Sequence, residues 1–174
     1  MSAPRDSAAG FTLIETMIAM AVLAGGLLAL AQVFTFGVAT IAAGGAHIIA
    51  REKATEAVES VYTARDTRTI TWAQVLNAAD GGIFIDGAGP LTEAGADGLV
   101  NTPDDGNVET IIQPGPDGEL GNGDDLVEQL DQFTREIAIT DVSPNLRRIR
   151  VTIRYRAGGG QREYFVETLI SAFA

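Results

Sequence analysis

Glu15 is the only charged side chain between Phe11 and Ala50. At the centre of a membrane helix a carboxylate costs about 2.5–3.5 kcal/mol, so such a group usually has a partner. Near a helix N-terminus the macrodipole also favours an anion, which explains why Glu15 is tolerated there but not the residues around it. A second chemistry-bearing region is residues 69–134, with 13 acidic residues and no Lys or Arg. Within it Asp97-Gly98-Leu99-Val100-Asn101-Thr102-Pro103-Asp104-Asp105 aligns with Asp117-Gly118-Glu119-Leu120-Gly121-Asn122-Gly123-Asp124-Asp125, an internal repeat. Calcium takes six to eight oxygen ligands from carboxylates, amides and carbonyls of a tightly turning chain. The candidate ligands are Asp97, Asn101, Asp104 and Asp105 in the first copy, and Asp117, Asn122, Asp124 and Asp125 in the second. The Asp-x-Asp-x-Asp-Gly order of an EF-hand is missing. The alternative is a solvated acidic linker.

Other chemistries are poorly provided for. The chain has 174 residues, one His and no Cys, which excludes disulfides, thiolate metal sites and a Cys nucleophile. His47, among Gly, Ala and Ile, has no ligand-spaced companion and reads as structural. Gly158-Gly159-Gly160 joins two strands and opens no helix, so it cannot cradle phosphate. Asp104-Asp105 lacks the rigid cleft that a glycosidase pair needs. A net charge of −11 argues against direct nucleic-acid binding. The chain does not read as an enzyme.

The elements that carry these residues follow from patterning. Phe11 to Leu30 or Phe36 is long enough to span a bilayer, and longer than the apolar core of a cleaved secretory signal. Ala21, Gly25 and Ala29, spaced by four, fit the small-residue pattern for close helix approach; an alanine-rich helix with no chosen partner fits equally well. Gly25-Gly26 is the weakest helical point. From His47 to Asp66, Ile48, Ala54, Ala57, Val58, Val61 and Tyr62 occupy one side, with Glu52, Lys53, Glu56 and Glu59 on another arc. Arg148, Arg150, Thr152, Arg154 and Arg156 alternate with apolar residues, which predicts a half-buried strand with an arginine face. That face is either solvated or answers the acidic region. Residues 135–142 and Gln161 to about Ala172 are the flanking strands. An antiparallel sheet with one apolar face needs the amphipathic helix as cover, so the fold class is α+β. Residues 80–131 show little periodicity, which predicts a functional or disordered loop.

The run Gly10-Phe11-Thr12-Leu13-Ile14-Glu15, after a short polar leader and before the apolar segment, closely resembles the processing site of type IV prepilins and type II secretion pseudopilins. The resemblance implies cleavage by a prepilin peptidase between Gly10 and Phe11. Phe11 then becomes the N-methylated first residue of a 164-residue mature chain, and Glu15 pairs with the terminal amine of a neighbouring subunit. Assembly implicates the helix, with Ala21, Gly25 and Ala29 as close-approach positions. The implied organisation is a leader (1–10), a transmembrane and filament-core helix (11–36), its amphipathic continuation (37–66), an acidic loop region (67–132) and an antiparallel sheet (133–174). Implied partners are other pilin subunits, the prepilin peptidase, an inner-membrane assembly platform and, before assembly, lipid. The leader would be cytoplasmic and the C-terminal domain extracytoplasmic, then part of a periplasmic pseudopilus or a surface pilus. The C-terminal strands more loosely resemble those of minor pilins and minor pseudopilins. Some pseudopilins hold calcium in a comparable loop, and a metal clip would replace the disulfide that many pilins carry. The competing reading is a monomeric, single-pass, membrane-anchored calcium-binding or adhesive module, which leaves the Gly-Phe junction and Glu15 unexplained.

Overall fold

The computed structural model describes residues 12–173, with the backbone alone for Ala42 and Ala43. Gly10, Phe11 and the leader lie outside the described residues. One helix, α1, runs Leu13–Asp66, and the chain divides by its packing into two units, Met1–Ile41 and Ala42–Ala174. In the first unit every described side chain is exposed, including the large apolar ones, and the backbone stays helical through Gly25 and Gly26. Its threonine hydroxyls are satisfied locally: Thr16 donates to the Leu13 carbonyl, Thr35 to Ala31 and Thr40 to Phe36. A helix that meets its own polar demands in this way suits an apolar medium.

The second unit is helix on sheet. Six strands follow: β1 (Gly89–Pro90), β2 (Thr110–Gln113), β3 (Leu126–Gln129), β4 (Thr134–Ser143), β5 (Leu146–Ala157) and β6 (Gly160–Ser171). The main sheet is antiparallel in the order β1-β4-β5-β6, and β2-β3 form a separate hairpin. Period-two patterning sends Ile137, Ile139, Ile149, Val151 and Ile153 to the inner face, where all are buried. Ala50, Ala54, Ala57, Val61 and Ala64 cover that face from α1, a small-residue stripe with alternating steps of four and three. Ile48 falls outside this stripe and is exposed, so the sequence-based helix face is shifted by a fraction of a turn. β5 turns into β6 through Gly158 and Gly159, both at positive φ (61° and 78°), the geometry of a two-residue hairpin turn matched to strand twist.

The acidic middle is not a bare loop. Phe84, Leu91, Leu99, Val100, Leu130 and Phe133 from this stretch are buried in the same core. Asn77 extends the sheet with its side chain: its Nδ2 donates to the Ile137 carbonyl (2.8 Å) and its Oδ1 accepts from Ile139 N–H (2.7 Å). The β4 edge is therefore closed by a side-chain amide and, further along, by β1. Buried apolar residues spaced irregularly between turns leave no periodic trace, which is why the packing was not apparent from pattern alone.

Candidate functional site

At the start of α1, Thr12 and Glu15 satisfy one another. Thr12 N–H and Oγ1–H both donate to Glu15 Oε2 (2.9 Å each), and Glu15 N–H donates to Thr12 Oγ1 (3.3 Å). This is a reciprocal capping box that serves two of the otherwise unpaired N-terminal donors. Its sequence signature, Thr-x-x-Glu, was present in the chain and marks Thr12 as the residue that the Glu15-centred reading missed. Among the described residues Glu15 Oε1 has no hydrogen-bond partner, so one carboxylate oxygen remains open to a donor from outside. Ala21, Gly25 and Ala29 lie on one exposed side of the helix, and a Cβ added at Gly25 would meet nothing within 4 Å.

His47 donates to or accepts from Tyr155 Oη (2.9 Å) and meets Tyr164 edge-on, a structural pairing between helix and sheet.

The acidic repeat folds into two copies of one turn. Gly98 and Gly118 sit at φ 73° and 75°, and three positions on Asn101 and Gly121 both adopt positive φ. In each copy the first Asp caps the residue two further on: Asp97 Oδ1 accepts from Leu99 N–H and Asp117 Oδ1 from Glu119 N–H. The last Asp closes the turn, with Asp105 Oδ2 accepting from Asn101 N–H (2.8 Å) and Asp125 Oδ2 from Gly121 N–H (2.7 Å). Gly95 and Gly115 are required by close approach, since a Cβ on either would overlap the backbone carbonyl and carboxylate of Asp104 or Asp124.

Their surroundings differ. Asp105 also accepts from the Thr92 and Thr102 hydroxyls and lies 3.8 Å from the guanidinium of Arg135, whose side chain is 1% exposed. Arg135 pairs with Glu109 (3.3 Å) and donates to the Thr92 carbonyl; Lys53 reaches Glu109 from α1 at 2.5 Å. Burial pulls the Arg135 pKa down, and Glu109 and Asp105 oppose that fall. Burial also disfavours the charged form of Lys53, but Glu109 and Glu56 outweigh it and its pKa is raised. The hydroxyl of Thr102 lowers the Asp104 pKa. In the second copy no Lys or Arg stands beside Asp117, Asp124 or Asp125 within ion-pair distance among the described residues. There Asn122 Nδ2 donates to Asp117 Oδ2 (2.6 Å), while Asp125 Oδ1 is shielded and without a partner. Among the described residues no three His, Cys, Asp or Glu side chains are gathered closely enough to hold a metal.

The arginine face of β5 does not answer this acidic region. Arg148 and Arg150 pair with Glu167, and Arg154 with Glu136 and Glu163, all across strands on the outer face. The cations that do answer it are Arg135, buried in step with Ile137 and Ile139 of β4, and Lys53, which patterning placed on the charged arc of α1. Arg147, also inward, stacks on Trp72 and donates to the Trp72 and Val75 carbonyls.

A family model described as the prokaryotic N-terminal methylation motif matches residues 5–31, spanning the Gly10–Phe11 junction, Glu15 and most of the apolar run. The match covers 27 of the 174 residues, the N-terminal segment alone, and agrees with the resemblance of that segment to type IV prepilins and pseudopilins. No curated protein and no solved structure gives a match. The long prepilin-type helix followed by small antiparallel sheets is an α+β, pilin-like arrangement. Among the described residues one apolar helix is long enough to cross a membrane, and together with the methylation-motif match it fits a membrane-anchored precursor.

Proposed function

We propose that this chain is a structural, non-enzymatic subunit of a type IV pilus or type II secretion pseudopilus. A prepilin peptidase cuts after Gly10 and methylates Phe11. The helix waits in the inner membrane, then leaves lipid through the assembly platform to pack in a filament core. The observation that carries this reading is the methylation motif at residues 5–31, with the only carboxylate of the apolar run inside it. Once Phe11 is a free ammonium, Glu15 Oε1 can receive it from a neighbour without dismantling the Thr12 cap on Oε2. In a dry core an unpaired carboxylate is unfavourable, so this pairing sets register more than it adds stability. The looser likeness of the C-terminal strands favours a minor subunit.

Intact mass and N-terminal sequencing after co-expression with a prepilin peptidase test the reading. The expected product begins at N-methyl-Phe11; a chain still beginning at Met1 beside an active peptidase would replace it with the anchored monomeric module. Glu15→Ala should be processed normally and fail to enter filaments, and normal incorporation would remove the pairing.

Calcium is proposed for the second copy of the repeat. In the first, the Arg135 guanidinium and four donors already serve Asp105, leaving little for a cation. In the second, Asp125 Oδ1 has no partner, and the solvent-exposed Asp117, Asn122 and Asp124, held by local hydrogen bonds alone, supply further oxygens that a cation could draw together. Limited proteolysis should slow at residues 115–126 with calcium, and identical rates with chelator would discard the site.

A further inference from the structure

Where α1 ends, a hollow of about 460 Å³ has Arg65, Arg68, Ile70, Trp72 and Phe173 in its lining and no Asp or Glu, in a chain whose net charge is −11. Its aromatic walls are held in place. Trp72 Nε1–H donates to the Pro144 carbonyl (3.1 Å), and the Arg147 guanidinium lies 4.2 Å over its ring. Ser171 Oγ–H donates to the Phe173 carbonyl (2.8 Å) and Ala172 N–H to the Asn145 carbonyl, yet Phe173 is 71% exposed. The two cations differ. Arg65 is committed: it pairs with Asp66, donates to the Ser171 carbonyl (2.9 Å) and lies 5.1 Å over the Tyr62 ring. Arg68 is exposed, and its guanidinium has no partner among the described residues. It also stands at φ 59°, the left-handed position after a helix where glycine is the usual residue. The helix end does not need that guanidinium, because backbone N–H groups of Thr67, Arg68, Thr69 and Ile70 already serve the Thr63, Ala64 and Arg65 carbonyls. Glycine would relieve the backbone strain, so a long unpaired cation kept there points to a ligand rather than to a cap.

We propose that this hollow binds a carboxylated sugar ring, a uronic acid, with its carboxylate on Arg68 and its ring against Trp72 and Phe173. A guanidinium presents a planar fork that matches a carboxylate. The two aromatic side chains supply apolar surface for the C–H face of the ring. The volume lies at the small end of ligand sites, with room for about one or two such rings. An acidic peptide fits less well. A bound strand would need the free edge of β6, where the Leu169 and Ser171 carbonyls already accept from Tyr62 Oη and Arg65. The inference does not rest on the filament reading.

Trp72 is the only tryptophan of the chain, so its fluorescence reports on the hollow directly. Full-length chain in a zwitterionic detergent is titrated with glucuronate, methyl glucoside, acetate, inorganic phosphate and a triglutamate peptide. A saturable change is expected with glucuronate in the millimolar range, and a far weaker one with each of the others. Arg68→Gly, which relieves the positive φ, should keep or raise the thermal midpoint and weaken glucuronate binding on the order of tenfold or more, the size of a charge-assisted hydrogen bond. Phe173→Ser should weaken it less and leave the fold unchanged. No saturable change with glucuronate overturns the proposal, as does an Arg68→Gly chain that binds it like the parent. Acetate or phosphate bound as tightly as glucuronate also overturns it, leaving a simple anion contact, and tighter binding of triglutamate gives the hollow to peptides instead.

Discussion

Residues 95–106 and 115–126 adopt the same turn with the same glycine, Asp cap and Asp closure, yet one is part of the core and the other is not. Leu99 is fully buried, whereas Leu120, one residue further along the repeat, is 64% exposed. Asp105 sits against a buried guanidinium; Asp125, at the same offset, has an oxygen with no partner. Local hydrogen bonds between an Asp and the amides that follow it suffice to make the turn. They do not decide whether the turn becomes a structural anchor or an open acidic surface. That depends on whether β4 supplies a cation behind it.

The largest difference between the copies should come from that cation. Arg135→Met leaves Glu109 and Asp105 buried without it, and breaking a buried pair costs about 3–5 kcal/mol. Thermal unfolding should show this loss, while Asp125→Asn, with no cation to abandon, should fall within about 0.5 kcal/mol. Equal effects would mean that the copies are energetically alike.

Next in size are the paired glycines. Gly95→Ala forces a Cβ into Asp104 within packed structure, at a cost of about 1–3 kcal/mol, typical of overpacking. The same overlap at Gly115 can be relieved by movement of an exposed loop. Denaturant midpoints should therefore shift for Gly95→Ala and barely for Gly115→Ala.

A smaller separation should appear with pH. The Thr102 hydroxyl holds the Asp104 pKa below its ordinary value. A depressed folded pKa contributes stability present above the ordinary carboxylate range and lost as pH falls through the lowered value. Thr102→Val should move the Asp104 midpoint upward in a carboxyl NMR titration, and an unchanged midpoint would show that the hydroxyl is not its cause. The second copy has Asn122 in place of that threonine, and no such hydroxyl.

Much of the architecture was legible in the chain. The alternation of Arg148 to Arg156 with Ile149, Val151, Ile153 and Tyr155 specified a strand and both its faces, and the Gly158-Gly159 turn specified its return. The repeat was visible too, though its backbone conformation was not. Patterning failed where a polar residue occupies an inward position. Arg135 keeps step with Ile137 and Ile139, and Lys53 stands in a row of exposed carboxylates, so neither looked like the partner of Glu109. Glu15 drew the sequence reading toward a distant amine, although its nearest partner, Thr12, is three residues away.

Local interactions set the helix, its cap, the strands and the two turns, because each depends on residues within a few positions and on their periodicity. The methylation motif is likewise contained in a short segment. The different fates of the repeat copies and the burial of Arg135 depend on residues 26 to more than 50 positions apart, and the outer arginines meet their carboxylates only once neighbouring strands pair. Charge is compensated by what the fold brings near, and the tertiary structure alone decides which carboxylates meet a cation and which remain open.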